Sequence, residues 1–243
     1  MSIGDKISLM RQTHLPIPGE ILDVEGHTAF IITPEKCLSR PWVWYAPTLP
    51  KLPGPEETWM FEQFQNAGFA IAGIDVGESY GSPEGRNTYS VFYRKLVQSR
   101  LFSPKPCLLA RSRGALMLYN WAVENPSSVS CLAGIYPVCN LRSIPALKDL
   151  CAARGMTELS DHNPIDHLEP LATAHIPVFH IHGNIDTVVP LETNSIEMMK
   201  KYRRLEGSMT VRVIQGKGHD LWPGWFHCQE LVDFVIHHGI QGT

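Results

Sequence analysis

The chain has 243 residues, 44% of them apolar and 19% charged, and a net charge of −3. That length and apolar share suit one globular domain with a sizeable core and leave little room for two. The charge gives no electrostatic reason to expect nucleic acid or an anionic membrane as partner, and no run approaches the roughly 18 consecutive apolar residues of a membrane span.

The start, Met1-Ser2-Ile3-Gly4-Asp5-Lys6, lacks the charged and apolar regions of a signal peptide, so a cytoplasmic protein is the expectation unless a signal was trimmed. Cys37, Cys107, Cys131, Cys139, Cys151 and Cys228 include no Cys-x-x-Cys pair. A chain this long does not depend on a disulfide framework. Cys107, Cys131 and Cys139 fall inside apolar runs, where a free cysteine acts as a small buried hydrophobe.

Short runs rich in β-branched and aromatic residues alternate with helical patterns, which predicts a mainly parallel sheet of about eight strands with helices on both faces. Strands over 20–24 and 28–33 form an antiparallel lead-in across Glu25-Gly26. A strand over 41–47, a helix over 55–68 and a strand over 69–76 follow. The stretch 77–85 is dense in turn formers and is expected to hold no regular element, with a helix over 89–99 after it.

Next come a strand over 105–110, a tight turn at Ser112, and a helix over 114–124 that stops at Asn125-Pro126, because a residue before proline disfavours the helical region. A strand over 131–138 leads into 140–175, the least regular segment, long enough for a small cap that roofs a pocket but too short for a second domain. A strand over 177–182, a helix over 191–205, a strand over 209–214 and a helix over 225–238 complete the single domain 1–243. The basic run Lys200-Lys201-Tyr202-Arg203-Arg204 reads as a solvated helix face.

Ser112, Asp186 and His219 each follow a strand, where open α/β sheets bind their ligands. Serine is a weak nucleophile near neutral pH and needs a base within hydrogen-bond reach and a third group to orient that base. His219 and Asp186 suit those two roles. Each signal is weak alone; their joint order at matching strand ends points to nucleophilic acyl transfer. His180 and His182 share one strand face but lack a third ligand at a matching strand end, so no metal is expected and no cofactor is required.

The elbow Ala110-Arg111-Ser112-Arg113-Gly114, the segment His182-Gly183-Asn184-Ile185-Asp186 with Val189-Pro190, and Gly218-His219 resemble the α/β-hydrolase superfamily, over nearly the whole length from about Glu20. Within it the chain is most similar to compact esterases and to the catalytic domain of prolyl-oligopeptidase-like hydrolases. The resemblance implies Ser112 as nucleophile, Asp186 as acid and His219 as base. Two departures stand out: Ala110 replaces the first elbow glycine, and Tyr45-Ala46-Pro47 replaces the usual His-Gly or Gly-Gly loop, with no N–H on Pro47.

The backbone N–H of Arg113, the residue after the nucleophile, is the first expected oxyanion donor. The second stays open between the Tyr45 hydroxyl, as in prolyl-oligopeptidase-like enzymes, and the Ala46 N–H. Arg111 and Arg113 either bind an acidic substrate group or pair with carboxylates such as Asp75, Glu78 or Glu84. Glu78, Ser79, Tyr80 and Trp222 lie on loops at the same sheet end and, with Arg111, are the substrate-binding candidates.

The expected activity is a serine carboxylesterase acting on a small-molecule ester through an acyl-enzyme. An arginine after the nucleophile also occurs in carbohydrate esterases of the glucuronoyl type, which adds a carbohydrate-linked ester to the expected substrates. A prolyl-oligopeptidase-like peptidase and a non-catalytic ligand-binding protein on the same scaffold are the alternatives. The oligomeric state is left open.

Overall fold

The computed structural model describes residues 15–34, 41–153, 156 and 158–241; Cys37 and the first six residues lie outside them. Eight strands form one sheet: β1 (Glu20–Val24), β2 (His27–Ile32), β3 (Trp42–Ala46), β4 (Ala70–Ile74), β5 (Cys107–Arg111), β6 (Cys131–Ile135), β7 (Val178–Gly183) and β8 (Met209–Ile214). Their order is β1-β2-β4-β3-β5-β6-β7-β8. β1 with β2 and β2 with β4 are antiparallel; every other pairing is parallel.

The central strands read as unbroken apolar runs because both of their faces are covered. On one face α1 (Thr58–Asn66) and α7 (Gln229–Gln241) bring Met60, Phe61, Phe64, Leu231 and Val235 against Val43, Ile71 and Leu109. On the other, α2 (Pro83–Arg94), α3 (Gly114–Glu124) and α6 (Glu197–Arg204) pack Tyr89, Phe92, Leu118, Trp121 and Met198 against Trp42, Trp44, Leu108 and Leu132. The parallel strands place their carboxyl ends, and so the loops after them, along one side of the molecule.

Two expectations change. The segment 77–85 is not wholly irregular: α2 begins at Pro83, with the Gly85 N–H donating to the Ser82 hydroxyl at 3.3 Å. A serine cap followed by proline at the first helical position is a helix start, and the glycines around it disguise this as a turn. The segment 140–175 contributes α4 (Ala146–Ala152), α5 (Glu169–Thr173) and several single turns. Its described residues pack into two clusters. Leu141, Cys151 and Met156 cluster with Tyr80, Leu116, Val138 and Val189, while Ile165, Leu168 and Leu171 enter the core on the α3 side.

Cys107, Cys131, Cys139 and Cys151 are buried free thiols and Cys228 is a partly buried one. Among the described residues, no helix is long and apolar enough to cross a membrane.

Two glycines allow the loops at the carboxyl ends to close. A Cβ on Gly114 would overlap the backbone of Ala46, and one on Gly183 would overlap the backbone of Lys217. The second contact seats the 216–219 loop directly on the end of β7. Gly183→Ala should therefore destabilise the fold by about 1–3 kcal/mol, the usual cost of overpacking a tight site. Urea unfolding measures it, and an unchanged midpoint would show that the loop yields without cost.

Candidate active site

Ser112 follows β5 directly and has φ 51°, a left-handed conformation that non-glycine residues rarely adopt. Two hydrogen bonds from the end of β6 hold it there: the Ser112 N–H donates to the Ile135 carbonyl at 3.0 Å, and the Val138 N–H donates to the Ser112 carbonyl at 2.9 Å. The turn lifts Oγ from the sheet, and α3 starts at Gly114.

The Ser112 hydroxyl lies 2.9 Å from His219 Nε2. His219 Nδ1 lies 2.8 Å from Asp186 Oδ2. The carboxylate can only accept, so Nδ1 carries the proton and Nε2 is free to accept from the serine. The other carboxylate oxygen, Oδ1, accepts from the N–H groups of Val188 at 2.9 Å and Val189 at 2.8 Å. Burial pushes the Asp186 carboxyl up, but hydrogen bonds from His182, His219 and Val189 outweigh it and hold it well below the usual carboxylate range. Asp186 thus keeps its charge wherever the protein is folded near neutral pH.

His219 sits in a loop braced by Asp220, whose Oδ1 accepts from the Trp222 N–H at 3.0 Å and the Trp225 indole at 2.8 Å. Its ring packs on Tyr136, centroids 4.3 Å apart, and Trp225 meets the Tyr136 ring edge-on at 5.5 Å. Tyr136 has φ 35° and follows β6 as Ser112 follows β5. Its hydroxyl accepts from Arg111 Nε at 3.2 Å, and burial pushes its pKa up to about 12.

A cavity of about 220 Å³ opens over the serine, lined by Pro47, Leu52, Arg111, Ser112, Arg113, Tyr136, His219, Asp220 and Leu221. None of the described residues of 140–175 lines it, so the cap expected to roof this cavity instead packs beside it. The Arg113 N–H, at the entry to α3, has no backbone partner among the described residues. It is free to donate to an anion forming over Ser112.

The structure departs from the expected role of Tyr45. That side chain is fully buried on the α1 face, where its hydroxyl donates to Glu57 Oε1 at 2.6 Å. Strand alternation turns Tyr45 away from the cavity. Ala46 is also buried within the sheet, in register with Ala110, and is absent from the cavity wall; Pro47 takes its place there without an N–H.

Both arginines are paired. Arg111 donates to Glu57 Oε1 at 2.7 Å, and Glu57 Oε2 accepts from the Gly54 N–H at 2.8 Å, so a buried carboxylate is fully satisfied. Arg113 grips both oxygens of Glu78, at 2.6 and 2.7 Å. Glu78 and Ser79 line a separate polar cavity of about 480 Å³ together with His27, Ser82, Glu84 and Thr88. Tyr80 is buried under Leu116 and Leu141. Trp222 lies under the Lys217 ammonium at 4.6 Å and edge-on to Trp225; its neighbour Leu221, not Trp222, reaches the cavity over Ser112.

Sequence reasoning overlooked Glu57 and Tyr136. Glu57 resembles any acidic residue in a first helical turn. Tyr136 carried a usable signal, since it follows a strand at the same end of the sheet as Ser112.

Tyr45→Phe should cost about 1–3 kcal/mol, the scale of a buried hydrogen bond to a charged group, and leave turnover of a test ester almost unaltered. A large fall in turnover at unchanged stability would return Tyr45 to the oxyanion site.

No protein-family profile matches the sequence, and no curated protein matches it significantly. Solved structures do match in fold. A puromycin-hydrolyzing peptidase from Mycobacterium tuberculosis superposes with TM-score 0.72 at 13% identity, covering 92% of this chain and 39% of the peptidase; the chain thus spans about two fifths of that protein's length. Esterase 2 of Thermogutta terrifontis, phosphoramylated by tabun, gives TM-score 0.66 at 13% identity, with 94% and 97% covered. Carboxylesterase Cest-2923 of Lactobacillus plantarum gives 0.65 at 13%, with 83% and 84% covered. With its eight-stranded, mostly parallel sheet flanked by helices, the chain has the α/β-hydrolase fold.

Proposed function

We propose that this chain is a serine hydrolase that cleaves a carboxylic ester through an acyl-enzyme on Ser112. The observation that carries the reading is the unbroken line of hydrogen bonds from Ser112 through His219 to Asp186, at 2.9 and 2.8 Å. In this reading Ser112 Oγ attacks the ester carbonyl as its proton passes to His219 Nε2. The Arg113 N–H stabilises the oxyanion. Collapse of the tetrahedral intermediate expels the alkoxide, which takes the proton from Nε2. A water activated by the same nitrogen then hydrolyses the acyl-enzyme, and Asp186 holds the imidazole in the tautomer that both steps need.

The cavity supports a compact acyl group. Its 220 Å³ falls below the roughly 300 Å³ lower bound of ordinary ligand pockets, and Pro47, Leu52 and Leu221 make part of its wall apolar. Pairing of Arg111 with Glu57 and of Arg113 with Glu78 leaves neither cation uncompensated, which favours a neutral ester over an acidic one. The polar cavity lined by Glu78 and Ser79 shares no lining residue with the one over Ser112, so it does not decide the alcohol portion. The organophosphorus adduct of the Thermogutta esterase suggests a fluorophosphonate as the reporter.

Wild-type protein should react with a fluorophosphonate and hydrolyse short-chain p-nitrophenyl esters faster than the matching p-nitroanilides. Faster anilide cleavage would favour a peptidase. Labelling and turnover both absent would favour a ligand-binding protein. Ser112→Ala should abolish both, and Asp186→Asn should lower kcat by about 10⁴ by leaving His219 in the wrong tautomer. Turnover that survives Ser112→Ala would remove Ser112 as nucleophile.

A further inference from the structure

Behind Asp186, away from the cavity, a second line of polar side chains runs through the interior. His182 Nε2 lies 2.8 Å from the Val189 carbonyl and 3.5 Å from Asp186 Oδ2. His182 Nδ1 is 2.8 Å from Ser195 Oγ, which is 2.9 Å from His180 Nδ1. His180 Nε2 is 2.9 Å from the Tyr119 hydroxyl. His180, His182, Ser195 and Tyr119 are all fully buried. Gly134 on β6 makes room for the last contact, since a Cβ there would meet the Tyr119 hydroxyl at 2.8 Å and His180 Cδ2 at 2.9 Å.

Donor and acceptor bookkeeping gives this line a direction. Both neighbours of His182 Nε2 only accept, so that nitrogen carries a proton. With the ring neutral, Nδ1 accepts from the Ser195 hydroxyl. Ser195 then accepts from His180 Nδ1, and His180 Nε2 accepts from Tyr119. Each ring nitrogen and each hydroxyl proton along the line then has a partner. Burial, with His182 beside it, lowers the pKa of His180 to about 3, so that ring stays neutral.

What the line holds is the turn that carries the acid. Ile185 and Val188, on either side of Asp186, are 57% and 56% exposed, so packing from outside does not fix this turn. The Ile185 N–H ties its start to the Lys217 carbonyl at 3.1 Å; its inner anchor is the His182 N–H on the Val189 carbonyl, while the Val189 N–H in turn binds Asp186 Oδ1 at 2.8 Å. We infer that His182 is a positioning residue for Asp186, held in its Nε2–H tautomer by the Tyr119–His180–Ser195 relay. This rests on the triad reading of Ser112, His219 and Asp186, and extends it to four residues that touch no substrate.

The test combines imidazole NMR with kinetics per titrated active site. Long-range ¹H–¹⁵N spectra of the wild type should show His182 protonated on Nε2 and His180 on Nδ1. His182→Leu should lower kcat by about tenfold or more, the scale of losing an outer partner of a functional ligand, with KM almost unmoved. His182→Gln, whose amide can reach the Val189 carbonyl, should restore most of that loss. Ser195→Ala, which contacts neither Asp186 nor Val189, should also lower kcat and not KM, and keeps the test open if His182→Leu does not fold.

A wild-type His182 protonated on Nδ1 would overturn the inference. So would variants that lose thermal stability yet keep wild-type kcat per titrated site. An inert wild type counts against the hydrolase reading instead, and the tautomers, read without turnover, still decide the relay.

Discussion

The left-handed backbone at Ser112 is the constraint on which the site depends. Such a conformation costs a non-glycine residue about 1–3 kcal/mol, and neighbouring strand ends supply the restraint. Ser112 is hydrogen-bonded to Ile135 and Val138, Tyr136 N–H to the Ile181 carbonyl at 2.8 Å, Asn184 N–H to the Ile214 carbonyl at 3.1 Å, and Ile185 N–H to the Lys217 carbonyl at 3.1 Å. Each loop after a strand is thus tied to the next strand or loop across the sheet. Ser112 and Tyr136 come directly after β5 and β6, and Asp186 and His219 lie in the loops after β7 and β8, so sheet register decides which loops meet and the contacts within those loops set the final separations.

Around this frame charge is compensated in pairs. The Glu57 side chain has no exposure, and a carboxylate in that position survives only with its lone pairs filled, here by Tyr45, Arg111 and Gly54. Removing one partner of such a pair typically costs about 3–5 kcal/mol, even where the intact pair adds little net stability. Arg111 therefore serves two ends. It neutralises Glu57 below, and through Nε it braces the Tyr136 hydroxyl, whose ring carries His219. Both arginines beside the serine are tied to carboxylates in this arrangement, and the Arg113 N–H is the donor that the proposed mechanism assigns to the oxyanion.

The candidate triad residues could be singled out in the sequence because their signals are local: a strand, a turn with a small-x-Ser-x-Gly pattern, and a glycine-flanked histidine after the last strand. Strand alternation was also legible, but it tells only that Tyr45 faces opposite to Trp44. That Tyr45 turns toward α1, and meets Glu57 there, depends on how the helix docks. The start of α2 was hidden because serine, proline and glycine serve both as turn formers and as a helix cap. Partners far apart in the chain, such as His182 with Ser195 and Arg111 with Glu57, carry no local pattern, since sheet order alone brings them together.

The central claim, covalent catalysis on Ser112, is tested most directly by trapping the intermediate. Rapid mixing with excess p-nitrophenyl acetate followed by acid quench should show a p-nitrophenol burst stoichiometric with protein and one acetyl group on the peptide that contains Ser112. Turnover without a burst and without an adduct, or an acetyl group on a different side chain, would contradict it.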